Sequence, residues 1–200
     1  MPVIGITGSS ATGKSSVGRH LQAFLPSAVF FDADRAAREL TQTNAEVREL
    51  IRQTFGNEIY SGAGDLNRAA LRAIVFGDPE KKRALEQILH PRIRRQWSSE
   101  AESRRKTTEL FFADIPLLYE TGGETLCDSI VVVACSPETQ LARLMSRSPL
   151  SQFAAQAMIS AQMPLAEKIA RADHLVWNNG PMTALVAQVE TLAARWRPLP

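Results

Sequence analysis

A glycine-framed loop near the amino terminus limits the folds and functions open to this chain. Residues 3–7 form a short β-branched run, and Gly8 and Gly13 then frame a loop that ends in Lys14-Ser15. An apolar face with helical spacing follows directly. The segment matches the pattern G-x-x-x-x-G-K-[ST], placed between a strand and a helix as phosphate binding requires. We therefore expect the chain to bind a nucleoside triphosphate.

Each part of this loop has a chemical task. The glycines let the backbone curl so that successive N–H groups point at phosphate oxygens, and the helix adds its positive N-terminal end to the anion site. Lys14 can reach the β- and γ-phosphates, and the Ser15 hydroxyl can be a ligand of Mg²⁺. The predicted nucleotide-binding residues are Gly8, Ser10, Ala11, Thr12, Gly13, Lys14, Ser15 and Ser16.

Short apolar runs alternate with helical patterns along the rest of the chain. The predicted strands cover residues 3–7, 28–31, 110–114, 130–134 and 174–177. Because these runs are continuously apolar, they predict a five-stranded parallel sheet with helices on both faces, an α/β fold. The largely helical span 56–105 interrupts the alternation, and we interpret it as an insertion rather than a separate domain. Within it, Pro91 predicts a kink or a helix boundary.

Composition and charge exclude several classes of protein. Hydrophobic residues make up 44% of the 200 residues and charged residues 22%, as in an ordinary globular domain. No apolar run approaches the roughly 20 residues that span a bilayer, and the amino terminus lacks the features of a signal peptide. The net charge of +2 and the two cysteines argue against a nucleic-acid partner and a disulfide framework. We expect a cytoplasmic protein, monomeric or weakly homo-oligomeric, without membrane or nucleic-acid partners.

Three classes of nucleotide-binding protein use such a loop: switches, motors and kinases. A GTPase needs a guanine-selecting Asn-Lys-x-Asp segment, and the nearest candidate, residues 177–180, lacks both the Lys and the Asp. A motor or helicase usually has a strand that ends in Asp-Glu, whereas the third strand here ends in Asp114 followed by Ile115. A small kinase that phosphorylates a metabolite therefore fits best by elimination.

The acceptor side of a kinase needs a carboxylate near the γ-phosphate to accept the proton of the attacking hydroxyl. Asp32 and Asp34 follow the second strand, at the edge where open parallel sheets bind ligands. We assign Asp32 to catalysis and Asp34 to the N-cap of the next helix. Asp114 ends the third strand at the same edge. Three roles are open for it: to hold magnesium through a water, to help orient the acceptor, or to be only a turn residue at the strand end.

Arginines supply the remaining positive charge. Arg143 and Arg147 lie one helical turn apart, and two guanidiniums there can neutralise the transferring phosphoryl group. The alternative is a solvated helix face. The positions around them, 139, 140, 144, 146, 150 and 151, offer no carboxylate for local pairing, which favours the functional interpretation. Arg38, Arg68 and His90 are weaker candidates for substrate binding.

The order of these motifs resembles the dephospho-coenzyme A kinase family over nearly the whole chain. The Asp-Ala-Asp, His-Pro and Pro-Leu-Leu segments are far more specific than the phosphate loop, which many families share. The matching pieces are Thr7-Gly8, Gly13-Lys14-Ser15, Asp32-Ala33-Asp34 with Arg38, Leu66-Asn67-Arg68 with Leu71, Val75-Phe76, His90-Pro91, residues 115–120, Gln140 with Arg143 and Arg147, Gln162, Ala172-Asp173 and Asn178-Asn179-Gly180.

This resemblance implies the last step of coenzyme A biosynthesis, in which ATP, with Mg²⁺, phosphorylates the ribose 3′-hydroxyl of dephospho-coenzyme A. It implies a single P-loop kinase domain with its core in residues 1–55, 106–137 and 166–200, a helical substrate-binding region at about 56–105 and a mobile lid at about 138–165. The family's catalytic base falls on Asp32, its phosphate-loop lysine on Lys14, and its lid arginine on Arg143 or Arg147.

Two other hypotheses stay open. Another small-metabolite kinase, acting on a nucleoside or a sugar acid, shares the loop and differs in its acceptor. A non-catalytic ATP-sensing regulatory module binds ATP without turning it over, although such a module has no need of an acceptor-side base.

Overall fold

A parallel β-sheet forms the centre of the computed structural model, which describes residues 2–147 and 150–197. Within these residues the strands of the sheet are β1 (Val3–Gly8), β2 (Val29–Asp32), β3 (Phe111–Asp114), β4 (Ser129–Ala134) and β5 (His174–Trp177). The predicted five-stranded α/β architecture is confirmed, and every strand end lies within one residue of its predicted place.

The strand order β2-β3-β1-β4-β5 places β1 in the middle of the sheet. β1 pairs in parallel with β3, where Val3 lies opposite Phe111, and with β4, where Ile4 lies opposite Ser129. The chain first places β2 and β3 on one side of β1 and later places β4 and β5 on the other side. The winding direction therefore reverses at β1. In open parallel sheets such a reversal leaves a crevice at the carboxyl ends of the strands, where ligands bind. The loop after β1 begins at that edge.

Helices connect the strands, and by their contacts the residues form two compact units, one from residues 1–31 and 100–200, the other from residues 32–99. The helices are α1 (Lys14–Phe24), α2 (Ala33–Thr43), α3 (Ala45–Phe55), α4 (Arg68–Gly77), α5 (Pro79–Arg105), α6 (Pro137–Arg147), α7 (Gln152–Ser160), α8 (Leu165–Ala170) and α9 (Met182–Ala194). Among the described residues, no helix combines the length and apolarity needed to cross a membrane.

The first unit is built on a hydrophobic core between the sheet and two helices, α1 and α9. Ile4, Ile6 and Val131 of the central strands are fully buried and belong to one cluster with Val17 and Leu21 of α1. The predicted apolar face of α1 is therefore the face that covers the sheet. Burial of each such aliphatic side chain is worth about 1.5–3 kcal/mol, so the core fixes the start of α1 relative to the end of β1.

The second unit has a small hydrophobic core of its own. It joins α3, α4 and α5 through buried side chains that include Ile51, Leu71 and Ile88. Asn44 separates α2 from α3 and accepts a hydrogen bond from Val47 N at 3.0 Å, which caps α3. The helical character predicted for this part of the chain is confirmed.

Pro91 is not a helix boundary, because α5 runs without interruption from Pro79 to Arg105 with Pro91 inside it. Proline has no N–H, so the carbonyl group four residues earlier, that of Gln87, loses its usual helical donor. In the same turn, Arg92 Nη1 donates to the carbonyl oxygen of Ile88 at 2.8 Å. A side-chain donor thus supports the backbone where the proline weakens the helical hydrogen bonding.

The N-cap of α2 is Asp32, and the prediction of Asp34 for this role is wrong. The strand continues to Asp32 and the helix begins at Ala33, without a linker between them. Asp32 Oδ1 accepts a hydrogen bond from Arg35 N at 3.0 Å, which satisfies one of the free N–H groups of the first turn. Asp34 lies exposed inside that turn, where its negative charge complements the positive end of the helix.

Candidate functional site

Two glycines frame the loop between β1 and α1, and a side chain fits at neither position. A Cβ atom at Gly8 would lie 2.5 Å from the carbonyl oxygen of Val133, and one at Gly13 would collide with Asn178 Nδ2. Gly13 also has a φ of 98°, which glycine adopts without steric cost. Asn178 Nδ2 in turn donates to the carbonyl oxygen of Thr12 at 2.8 Å. The close packing around this loop therefore requires both glycines.

The amino-terminal end of α1 has the features of an anion site. Gly13 is its N-cap, the first turn contains no acidic residue, and within the described part of the chain no side-chain hydrogen bond caps it. The N–H groups at this end can therefore bind an anion from outside, and the helix dipole adds about half a positive charge. Ser15 and Ser16 lie in the first turn, and Ser15 is exposed.

Lys14 and Asp114 form an ion pair beside this helix end. Lys14 Nζ donates to Asp114 Oδ1, and the two side chains are only 13% and 15% exposed. Asp114 is the last residue of β3 and lies opposite Ile6 of β1, two residues before Gly8. The structure thus brings together two predicted site residues whose pairing the sequence did not indicate. Low exposure strengthens the attraction, because surrounding water screens it less than at the surface.

Two glutamines bind the first half of the loop. Gln140 Nε2 donates to Ser9 Oγ and to the carbonyl oxygen of Ser10, both at 2.8 Å. Gln162 Oε1 accepts from Ser9 Oγ at 2.8 Å and from Ser10 N at 2.9 Å. The family resemblance includes both glutamines but gives them no role. No local pattern could reveal these contacts, since the partners are at least 130 positions apart in the chain.

Arg143 and Arg147 lie in different environments in spite of their one-turn spacing. Arg143 is partly buried, and its Nη1 atom has no hydrogen-bond partner among the described residues, whereas Arg147 is exposed. Burial raises the pKa of the Cys135 thiol, and Arg143, which hydrogen-bonds this thiol, opposes that rise. A buried N–H group without a partner is costly unless a ligand binds it. Arg143 therefore has the surroundings expected of an anion ligand.

The predicted site residues of the second unit lie on α2, α4 and α5 and at the end of β2. Arg68, the first residue of α4, donates from Nη2 to the carbonyl oxygen of Arg38 at 3.3 Å and to Thr41 Oγ1 at 3.4 Å. The structure thus brings Arg38 and Arg68 together, and both are exposed. His90 lies in α5, where burial lowers the pKa of its imidazole and Glu86 opposes that shift. Asp32 is exposed at the end of β2.

The donor groups near the phosphate loop fit a magnesium ion that is bound mainly by its substrate. The described residues contain no cluster of three or more His, Cys, Asp or Glu side chains that could hold a metal ion. Mg²⁺ prefers oxygen ligands, keeps several waters and commonly takes one or two protein groups together with phosphate oxygens. The exposed Ser15 hydroxyl and the Asp114 carboxylate are oxygen donors of this kind.

Comparisons with known proteins identify relatives along nearly the whole chain. The family model for dephospho-CoA kinase matches residues 2–184. A dephospho-CoA kinase of Symbiobacterium thermophilum is 43% identical over 198 residues, which are 98% of this chain and 81% of that protein. The solved structure of a Thermus thermophilus protein is 34% identical, with a TM-score of 0.76 and 98% of each chain covered.

A solved dephospho-CoA kinase from Campylobacter jejuni gives a TM-score of 0.69 at 26% identity and covers 98% of this chain and 97% of its own. The resemblance drawn from the sequence motifs is thereby confirmed, and with it the kinase fold and the use of ATP. The chain therefore belongs to the dephospho-CoA kinase family, the transferases of the final step of coenzyme A biosynthesis.

Proposed function

We propose that this chain transfers the γ-phosphoryl group of ATP to the ribose 3′-hydroxyl of dephospho-coenzyme A and releases ADP and coenzyme A. Family membership supports the acceptor. The observation that carries the phosphoryl-transfer part is the ion pair of Lys14 with Asp114 beside the uncapped start of α1. This arrangement combines an ammonium group, a carboxylate and open backbone N–H groups at one edge of the sheet.

On the nucleotide side, we assign Lys14 to the β- and γ-phosphates, and we assign nucleotide binding also to Gly8, Ser10, Ala11, Thr12, Gly13, Ser15 and Ser16. The backbone N–H groups at the start of α1 are fixed by the fold before the reaction, so they stabilise the charge of the phosphoryl group without reorganisation. A bound Mg²⁺ would supply positive charge that offsets the negative charge of the phosphate groups. We assign Ser15 and, through water, Asp114 to hold it.

On the acceptor side, we assign Asp32 as the base that takes the proton of the 3′-hydroxyl. Its Oδ1 atom accepts from Arg35 N, which orients the carboxylate, and we assign Oδ2 to the hydroxyl. A positioned base of this kind contributes about 10²–10⁴-fold to the rate. We further assign the helical region 56–105, with Arg68 and His90, and the neighbouring Arg38 to substrate binding.

For the transferring phosphoryl group, we assign Arg143 as the principal guanidinium and Arg147 as the second. Arg143 has the buried Nη1 atom without a hydrogen-bond partner among the described residues, and a phosphoryl oxygen would satisfy that atom. We assign residues 138–165 as the lid that carries both arginines. A closed lid also keeps water from competing with the acceptor.

ADP release tests the proposal directly. It is measured with ATP and Mg²⁺, with and without dephospho-coenzyme A, and with adenosine and gluconate as control acceptors. We expect release that depends on dephospho-coenzyme A, with a product one phosphate heavier. Release that depends on a control acceptor would indicate a different metabolite kinase. ATP binding without acceptor-stimulated release would indicate a regulatory module.

We include in the proposal a cytoplasmic location and a monomeric or weakly homo-oligomeric state. Cell fractionation tests the first, and sedimentation velocity over a range of protein concentrations tests the second. A single stable oligomer at the lowest concentration would contradict the second.

A further inference from the structure

The first half of the phosphate loop contains a strained backbone. Ala11 has a φ of 61° and is the only non-glycine residue with a positive φ in the described part of the chain. It lies in a turn closed by Thr12 N and Thr12 Oγ1, which donate to the carbonyl oxygen of Ser9 at 3.4 Å and 2.9 Å. A positive φ at the third residue of such a turn favours glycine or asparagine. An alanine there is strained, and such strain persists only where the surroundings enforce it.

Rotation of the Ser10–Ala11 peptide would relieve this strain, and Gln140 opposes that rotation. A flip of the peptide plane would return the φ of Ala11 to negative values and turn the carbonyl oxygen of Ser10 away from its present direction. Gln140 Nε2 donates to that oxygen at 2.8 Å from a side chain that is only 3% exposed. Because the C=O and N–H of a trans peptide point in opposite directions, this contact also fixes the direction of Ala11 N–H.

Gln162 binds the same turn at Ser9 and Ser10. Ser9 Oγ receives a hydrogen bond from Gln140 Nε2 and donates to Gln162 Oε1, each at 2.8 Å. The same Oε1 atom accepts from Ser10 N at 2.9 Å. The hydroxyl therefore joins the two glutamines, and together they engage both the N–H and the C=O of Ser10.

Gln162 lies at the carboxyl end of the segment assigned as the lid, and the backbone at that end is anchored. The next residue, Met163, donates from its backbone N to Glu120 Oε1 at 3.0 Å. Lys168 Nζ donates to the same oxygen at 2.8 Å from a side chain with no exposure to solvent. The carboxylate that pairs with the fully buried Lys168 thus also holds the backbone beside Gln162.

We propose that Gln140 and Gln162 are positioning residues that hold the Ser10–Ala11 peptide so that Ala11 N–H faces the triphosphate. The inference rests on the proposed function only for the location of the nucleotide site. Backbone N–H groups of such loops cradle phosphates, and a flipped peptide would present a carbonyl oxygen in place of one of them. The loop is therefore shaped before the nucleotide arrives, which reduces the cost of ordering it on binding.

The variant Gln140→Met tests this role, because it removes the amide at nearly constant size. We expect the Kd for MgADP and the KM for ATP to rise about tenfold, the effect of one or two lost hydrogen bonds. We expect kcat and the KM for dephospho-coenzyme A to change by less than about threefold. Gln22→Met, at an exposed position of α1, is the matched control and should change none of these values. Unchanged MgADP affinity in folded Gln140→Met would overturn the proposal.

Ala11→Gly separates positioning from a general structural role. Glycine adopts a positive φ without strain, so the peptide no longer needs the glutamine to resist a flip. In the presence of Ala11→Gly, the effect of Gln140→Met on MgADP affinity should fall from about tenfold to under about threefold. An equal effect with and without Ala11→Gly would show that Gln140 does not act by resisting the peptide flip, and would overturn the proposal.

A substitute variant and a measurement that needs no acceptor keep the test decisive. If thermal unfolding shows that Gln140→Met does not fold, Gln162→Met at a partly exposed position takes its place, with an expected rise of about threefold that Ala11→Gly again abolishes. Calorimetric titration with MgADP needs no acceptor. If dephospho-coenzyme A were inactive as an acceptor, the proposed function would fail while the MgADP series still decided the role of the glutamines.

Discussion

Lys14 Nζ and Asp114 Oδ1 are paired between the first turn of α1 and the carboxyl end of β3. Both groups are largely shielded from solvent, and each has a separate task assigned in phosphoryl transfer. The pairing orients the lysine beside the helix end before a nucleotide binds. A triphosphate that enters the loop would compete with Asp114 for this lysine, and the released carboxylate would then be able to take the magnesium role proposed for it.

The substitution Asp114→Asn separates these tasks, because it keeps the size of the side chain and removes its charge. We expect kcat/KM for ATP to fall about 10²-fold, as for the loss of one preorganised charged group, and the Mg²⁺ concentration for half-maximal rate to rise. Steady-state rates over a Mg²⁺ titration measure both. A fall of less than about threefold with an unchanged Mg²⁺ requirement would limit Asp114 to the role of resting partner of Lys14.

Because Asp32 caps α2, its proposed role as base can be tested with a substitution that keeps the cap. Asparagine caps helices about as well as aspartate, so Asp32→Asn should retain the contact to Arg35 N and unfold at nearly the same temperature. Asparagine cannot accept the proton, so we expect kcat to fall about 10²–10⁴-fold with MgADP affinity within about twofold. Rates and calorimetry on the same preparation measure the two effects.

Two companion variants control this experiment. Asp34→Asn alters an exposed carboxylate of the same turn, and we expect its kcat to stay within about twofold of the unaltered chain. Asp32→Ala removes both base and cap, so it should lose about 1 kcal/mol of stability in addition to activity. Full turnover by Asp32→Asn would refute the assignment of Asp32 as base.

The sequence predicts the sheet and most helices because their signals are local. Continuous apolar runs mark strands buried on both faces, and the spacing of Val17 and Leu21 marks the face of α1 that packs on the sheet. The error at the start of α2 has a local cause as well. Asp32 and Asp34 are both good caps, and only the direct passage from strand to helix at Asp32 decides between them.

The candidate site is predictable only where its residues adjoin one another in sequence. For the loop from Gly8 to Ser15, the residue spacing alone predicts nucleotide binding. The contacts of Gln140 and Gln162 with Ser9 depend on how helices far along the chain return to β1, which no local pattern encodes. The contrast between Arg143 and Arg147 likewise depends on tertiary burial.

That contrast predicts unequal effects of removing the two arginines. Arg143→Met removes the partly buried guanidinium with the Nη1 atom that lacks a partner among the described residues. We expect it to lower kcat about 10²–10³-fold, the scale for a preorganised donor to a transferring group. Arg147→Met, at an exposed position of the same helix, should lower kcat less than about tenfold. Single-turnover rates measure both, and the reverse order would assign the phosphoryl contact to Arg147.

The dependence of stability on pH should carry a contribution from His174. Its ring packs edge-on against Trp196, with 5.5 Å between the ring centroids. Burial lowers the pKa of this imidazole below 6.5, Arg195 lowers it further, and Asp173 acts in the opposite direction. Below pH 6.5 the unfolded chain therefore binds a proton that the folded chain binds only at lower pH. The contribution of His174 to the free energy of unfolding is fully present above pH 6.5. It is lost as the pH falls through the lower pKa of the folded state.

His174→Gln removes this titration while it leaves the other ionisable groups in place. Urea unfolding of both proteins between pH 8 and pH 5 gives the free energy of unfolding at each pH. We expect the unaltered chain to lose more stability than the variant as the pH falls below 6.5, and the two curves to run parallel above it. The comparison uses slopes, because the lost contact with Trp196 shifts the whole curve of the variant by a constant amount. Parallel curves over the entire range would show that His174 titrates alike in the folded and unfolded chains.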